Sequence, residues 1–118
     1  MSVETTLRAL LVADGGVSAL VGTRIAADRI EQGAARPFCV FSRTATLPIT
    51  DVGGTLLISQ VTLDVQCWAD TRLQADAVAD AVSAAVRGVT SQQVTERSSV
   101  YDADLDMEGV QLTIEWWD

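Results

Sequence analysis

Residues 59–88 read SQVTLDVQCWAD and then TRLQADAVADAVSAAVRG. In the first part Val61, Leu63, Val65 and Cys67 alternate with Gln60, Thr62, Asp64 and Gln66. A period of two marks a half-buried strand, because successive side chains leave opposite faces. In the second part the period becomes helical. Leu73, Ala77, Ala81 and Ala85 fall four apart, as do Val78, Val82 and Val86. These rows predict one wide apolar face, with Asp76, Asp80, Ser83 and Arg87 on the wet side. Asp70 or Thr71 caps the start, and Gly88 predicts a left-handed end. A long strand feeding directly into a long amphipathic helix is the unit that makes a core.

Upstream, Pro37 opens an apolar strand, Phe38–Leu47, a position that suits a residue without an N–H. Phe38, Cys39, Val40 and Phe41 are apolar on both faces, as in a central strand covered twice. The segment Leu47–Leu57 (LPITDVGGTLL) reads as a long hairpin tip, turning at Asp51-Val52-Gly53-Gly54. Pairing about Gly53 sets Cys39 nearly opposite Cys67. A disulfide is geometrically conceivable there, but buried thiols acting as small hydrophobes are the expectation. At the N-terminus Ser2 is the expected cap of a helix with Val3, Leu7, Leu10 and Leu11 on one stripe. Asp14-Gly15-Gly16 stops it. Val17–Val21 adds a short turn closed by Gly22, Arg24–Ala27 a short strand, and Asp28–Arg36 a polar loop.

Downstream, Ser91–Ser99 is polar, with weak strand character around Val94. Val100-Tyr101 leads into an acidic turn over Asp102–Gly109. In the last strand Val110, Leu112, Ile114 and Trp116 share one face, and Gln111, Thr113, Glu115 and Trp117 the other. The reading is one α+β domain over residues 1–118: an antiparallel sheet with two main helices packed on one face.

Composition narrows the function. The chain has 16 Asp and Glu against 8 basic residues, all of them Arg, with no Lys or His. A net charge of −8 opposes wrapping DNA or an anionic lipid surface, yet DNA can pass without being bound. The longest uncharged run, Val52–Leu63, has 12 residues, whereas a bilayer span needs about 20. Glu4 and Arg8 interrupt any signal-peptide pattern, so cytosolic synthesis and reduced cysteines are expected. Without His, no Ser–His–Asp or Cys–His set can be assembled, and two separated Cys make no zinc site. Gly15-Gly16 and Gly53-Gly54 are turn glycines with no Walker lysine. No enzyme activity, cofactor or metal is expected. Asp102, Asp104 and Asp106 start like a calcium loop, but Met107 stands where Gly is needed and Thr113 where a bidentate Glu is needed. A solvated acidic turn is the simpler reading.

What remains is surface. Trp68 and Trp117 fall on the polar face of their strands, so they either meet another chain or are half-covered by their own. Ile49, Val52 and Leu56 are apolar where a lone hairpin tip should be polar. Either the tip folds back on its own core, or it lies on the next subunit of a ring. These five residues are the candidate subunit interface.

The chain as a whole resembles the small tail-completion, or tail-terminator, proteins of long-tailed bacteriophages. The likeness runs through VETTLRALLVADGGVSALVGTRI, RPFCVFSRTAT with its hairpin, VTLDVQCWADTRLQADAVADAVSAAV and SSVYDADLDMEGVQLTIEWWD. Its strongest part is the strand ending at Cys67-Trp68-Ala69-Asp70 with the Ala-rich helix directly after it. The resemblance implies a structural virion protein, assembled in the host cytoplasm. It implies a ring, typically a hexamer, at the head-proximal end of the tail tube, which ends tube growth and gives head-completion proteins a surface to join. Implied partners are further copies of itself, the tube protein and a neck protein. Related rings occur in gene transfer agents, so the source is either an infectious phage or a phage-derived particle. The family carries no catalytic residues to transfer. The alternatives are another neck component, such as a head-completion or adaptor protein, and, from a different class, a calcium-binding interaction module.

Overall fold

The alternating stretch forms a central strand of the sheet, and the sequence after it forms the longest helix. The structure is a computed structural model that describes residues 3–22, 24–27, 36–88, 92–104 and 106–117. In chain order the elements are helix α1 (Val3–Ala13), helix α2 (Gly15–Val21), strand β1 (Ile25–Ala27), strand β2 (Phe38–Thr50), strand β3 (Leu56–Ala69), helix α3 (Arg72–Arg87), strand β4 (Gln92–Asp102) and strand β5 (Met107–Trp117). They make one five-stranded sheet in the order β1-β2-β3-β5-β4. The α+β class holds. The sheet is mixed rather than purely antiparallel, because β1 pairs parallel to β2 through Ile25 and Cys39. A three-residue strand carries too little pattern to announce its direction.

The helices lie against one face. Val61, Leu63, Val65, Cys67 and Ala69 of β3 point into that layer with Val110, Leu112, Ile114 and Trp116 of β5. Leu7 and Leu11 of α1, Val17 and Val21 of α2, and Val78, Val82 and Val86 of α3 close over them in a single core. Each fully buried Leu or Val contributes about 1.5–3 kcal/mol relative to exposure. The expected cap at Ser2 and most of the loop at 28–36 lie outside the described residues. Asp14 is the cap of α2, with its Oδ1 accepting the Val17 N–H at 3.0 Å.

Thr71, rather than Asp70, caps α3: its hydroxyl accepts the Gln74 N–H at 3.2 Å. Asp70 instead receives Arg36 at 2.9 Å. Two expectations for α3 are corrected. Gly88 ends it at φ −71°, in the right-handed region. The buried stripe is Ala75, Val78, Ala79, Val82, Ser83, Ala85 and Val86, whereas Leu73 is 83% exposed and Ala77 also faces out. The valine row was legible, but the helix is rolled roughly a quarter turn from the predicted face, at 3.6 residues per turn. Small Ala75 and Ala79 suit close approach to the sheet. Arg97 of β4 reaches Asp80 at 2.7 Å and Asp76 at 3.3 Å, holding that flank of the helix over β4.

β4 is a full strand of 11 residues where only weak strand character was legible. It is an edge with mostly exposed side chains, so no face of it is marked by apolar residues. The acidic segment is shorter than expected, since β5 already begins at Met107. The turn is held by Asp102 Oδ1, which accepts the Asp104 N–H at 3.0 Å, and by Asp106 at φ 50°. The Tyr101 hydroxyl donates to Asp106 Oδ1 at 2.8 Å, and the phenol pKa rises because ionisation would lose this hydrogen bond and set two negative groups together.

Candidate assembly surface

The hairpin between β2 and β3 extends beyond the helical layer. Phe41 is the last buried residue of β2 and Val61 the first of β3. From Val61 to Leu56 the ribbon spans roughly 17 Å at about 3.4 Å per residue. The molecule is accordingly 51 Å long and 29 Å by 23 Å across. The turn is well made: Asp51 N–H donates to the Thr55 carbonyl at 2.9 Å, and Asp51 Oδ1 accepts the Thr55 N–H at 2.8 Å. Asp51 is the one charge between Thr44 and Leu63, and its carboxylate serves its own turn. The arm does not fold back. Ile49, Val52 and Leu56 are exposed on it, and so are Leu47 and Leu57, which the candidate set omitted. The signal for Leu57 was present in the uninterrupted Leu56-Leu57-Ile58 run.

The register separates the two tryptophans. Trp117 stands opposite Gln60, and Gln60 opposite Leu47. Ile49 stands opposite Ile58 on the same face. Trp117 is half-buried and continues the apolar side of the arm onto the sheet. Trp68 lies eight residues along β3 from Gln60, roughly 27 Å away. It is half-buried over Gly109, with Phe38 as its register partner, and its Nε1 donates to Gln66 Oε1 at 3.3 Å. Gln66 Nε2 in turn donates to Gln111 Oε1 at 3.3 Å. Ile49, Val52, Leu56 and Trp117 therefore gather at one end, and Trp68 is packed at the other.

The open sheet face is Arg-free at its strand positions. It carries Gln60, Thr62, Asp64, Gln66, Gln111, Thr113 and Glu115, and Glu96 opposite Thr113. Arg43 and Arg97 stand opposite Leu63 and Leu112, on the helix side. The Thr113 hydroxyl donates to Asp64 Oδ1 at 3.2 Å. On the helix side a groove of about 510 Å³ runs between α3 and β4 along Ser83, Arg87, Gln93, Val94 and Arg97. Its Arg97 is committed to Asp80 and Asp76, which raise the guanidinium pKa further.

Cys39 and Cys67 are register partners, free, fully buried, and 3.8 Å apart at sulfur. Their contact and their burial push the Cys67 thiol well above its ordinary 9.0. Among the described residues no three His, Cys, Asp or Glu side chains converge to hold a metal ion, and no helix is long and apolar enough to cross a membrane.

This architecture has known relatives. The family model of tail completion protein gp17 matches residues 5–117. The chain belongs to this family. It is a structural protein of a bacteriophage-type tail and of the virion. The tail completion fold is also similar to a chain in the solved virion of a native gene transfer agent particle. The TM-score is 0.75 at 19% identity, over 98% of this chain and 93% of that one. No curated protein matches the chain.

Proposed function

We propose that this tail completion protein closes into a ring, a hexamer, at the head-proximal end of the tail tube. There it ends tube polymerisation and presents the surface to which a head-completion or neck protein joins. The observation that carries this reading is the projecting arm. It exposes Leu47, Ile49, Val52, Leu56 and Leu57 around a single charge, and such a surface is normally covered by a partner. In a ring the arm of each copy lies on the next, with Trp117 at its root. The Arg-free open face suits a channel wall, because carboxylates and amides without a cation give a polyanion nothing to bind. DNA then passes without specific binding. The reading covers an infectious phage and a phage-derived particle alike.

Electron microscopy of purified protein, alone and mixed with tail tubes, tests the proposal. Rings seated on one end of tubes that no longer elongate are expected. Tubes that keep growing, or protein that joins only to isolated heads, would overturn it.

A further inference from the structure

The groove between α3 and β4 holds a polar group that the fold leaves unmet. Ser83 lines it and is only 6% exposed. Its hydroxyl has no hydrogen-bond partner among the described residues. A buried hydroxyl without a partner costs stability, so nearly all such groups in folded proteins find one. The open side of Ser83 is the groove itself, about 510 Å³ in volume. A space of that order encloses two or three residues of a tight turn.

The same groove holds an unengaged cation. Arg8 and Arg24 donate to the Ile25 and Pro37 carbonyls, Arg36 to Asp70, Arg43 to Thr46, Arg72 to Ser99, and Arg97 to Asp80 and Asp76. Among the described residues Arg87 alone of the arginines has no such partner. It is exposed, and no described carboxylate lines the groove with it. Two carboxylates already meet the charge of Arg97, so Arg87 leaves the groove locally positive in a chain of net charge −8. Val94, which packs on the core, adds an apolar side chain to the lining.

The tip of the arm is the counterpart. Asp51 is its one charge, and its Oδ1 is taken by the Thr55 N–H at 2.8 Å, which leaves Oδ2 for another donor. Val52 beside it is fully exposed. Val52 and Gly53 also carry carbonyls that the hydrogen bonds of the turn do not use. The tip thus offers a carboxylate for Arg87, an apolar side chain for Val94 and an acceptor for the Ser83 hydroxyl. It cannot reach the groove of its own chain. Gln93 is level with Thr62 through Glu115, and Leu56 is already six residues, roughly 20 Å, along β3 from Thr62. Tip and groove are different surfaces, so the contact between two copies is heterologous, the kind that a closed ring repeats.

We infer that the groove between α3 and β4 receives the arm tip of a second copy of this chain, with Asp51 on Arg87 and Val52 on Val94. This rests on the ring reading above and names where the arm lands. Val52→Cys and Gln93→Cys in one chain place an exposed thiol on each side of the joint, while Cys39 and Cys67 stay buried. A short bis-maleimide added to rings on tail tubes is expected to give a ladder of covalently linked copies, and either single variant only monomers. Asp51→Asn keeps an oxygen for the Thr55 N–H, and Arg87→Gln changes an exposed side chain, so both are expected to keep the wild-type melting profile. Each is expected to lower the fraction of chains in rings about tenfold, with the double variant no worse than either alone. Rings without a ladder, or a Val52→Cys thiol that links only to the tube protein, would overturn the groove and leave the ring standing. Should the double cysteine variant give no rings, the charge variants decide, and full ring yield or additive losses overturn the groove. A wild-type chain that never forms rings would overturn both.

Discussion

Trp68 packs against Gly109. A Cβ placed on Gly109 would sit 2.7 Å from Trp68 Cε3, 2.9 Å from Cζ3 and 2.9 Å from Val100 Cγ2. The glycine is thus required by close approach. An aromatic ring laid across a strand glycine supplies the packing that the missing side chain does not. Gly109→Ala is expected to lower stability by about 1–3 kcal/mol, read as a fall in the urea midpoint, because the indole must leave a packed position. An unchanged midpoint would mean that Trp68 moves freely, and would return it to the set of surface residues available to a partner.

The arm predicts the opposite pattern. Ile49, Val52 and Leu56 are exposed in the free chain, so replacing all three with Ser should leave the melting temperature within the small range of surface substitutions, about 0.5 kcal/mol each. Light scattering of the variant with tail tubes should then show folded monomer. A ring of unchanged mass would show that the arm is not the contact.

Helix α3 offers a paired test of its rotation. Thr71→Ala removes the oxygen that accepts the Gln74 N–H and should cost about 1 kcal/mol. Leu73→Ser, two residues later, should cost less than about 0.5 kcal/mol, because Leu73 is already in water. If Leu73→Ser proved the more damaging of the two, Leu73 would belong to the core after all.

Cys67 carries a pH signature. Its thiol pKa is raised in the folded chain, first by the contact with Cys39 and then by burial. The neutral thiol is favoured by folding, so the stability linked to it is fully present below the ordinary value of 9.0. It is lost as pH rises past that value, because the unfolded chain releases its proton first. Alkylation of Cys67 by iodoacetamide at pH 8 should be slow in the folded chain and fast in denaturant. Rapid labelling of the folded chain would contradict the burial.

How far the sequence reached is clear from particular residues. The alternation of Val61 to Cys67 and of Val110 to Trp116 assigned core and open face correctly, because a strand's period forces that division. The turn at Asp51–Gly54 pointed to Cys39 against Cys67, and that pairing holds because the register shifts at Ile49/Thr50 and Arg43/Ala45 cancel. The candidate surface was half legible. The arm's apolar residues stood out, while Trp68 and Trp117 looked alike by position, and only pairing put Gly109 under the first.

By itself the sequence determined the strand periods, the helix and its valine row, the turn positions and the family. The first three rest on neighbours within a few residues, where geometry follows from spacing, and the family on their order along the whole chain. The tertiary structure alone decided the parallel β1, the place of β5 between β3 and β4, the roll of α3 toward β4, and the outward course of the arm. These depend on which distant surfaces meet. The polar edge strand and alanine-rich helix carry little pattern to announce such meetings, and the contacts of Arg97 with Asp76 and Asp80 and of Trp68 with Gly109 are seen only once the fold is in place.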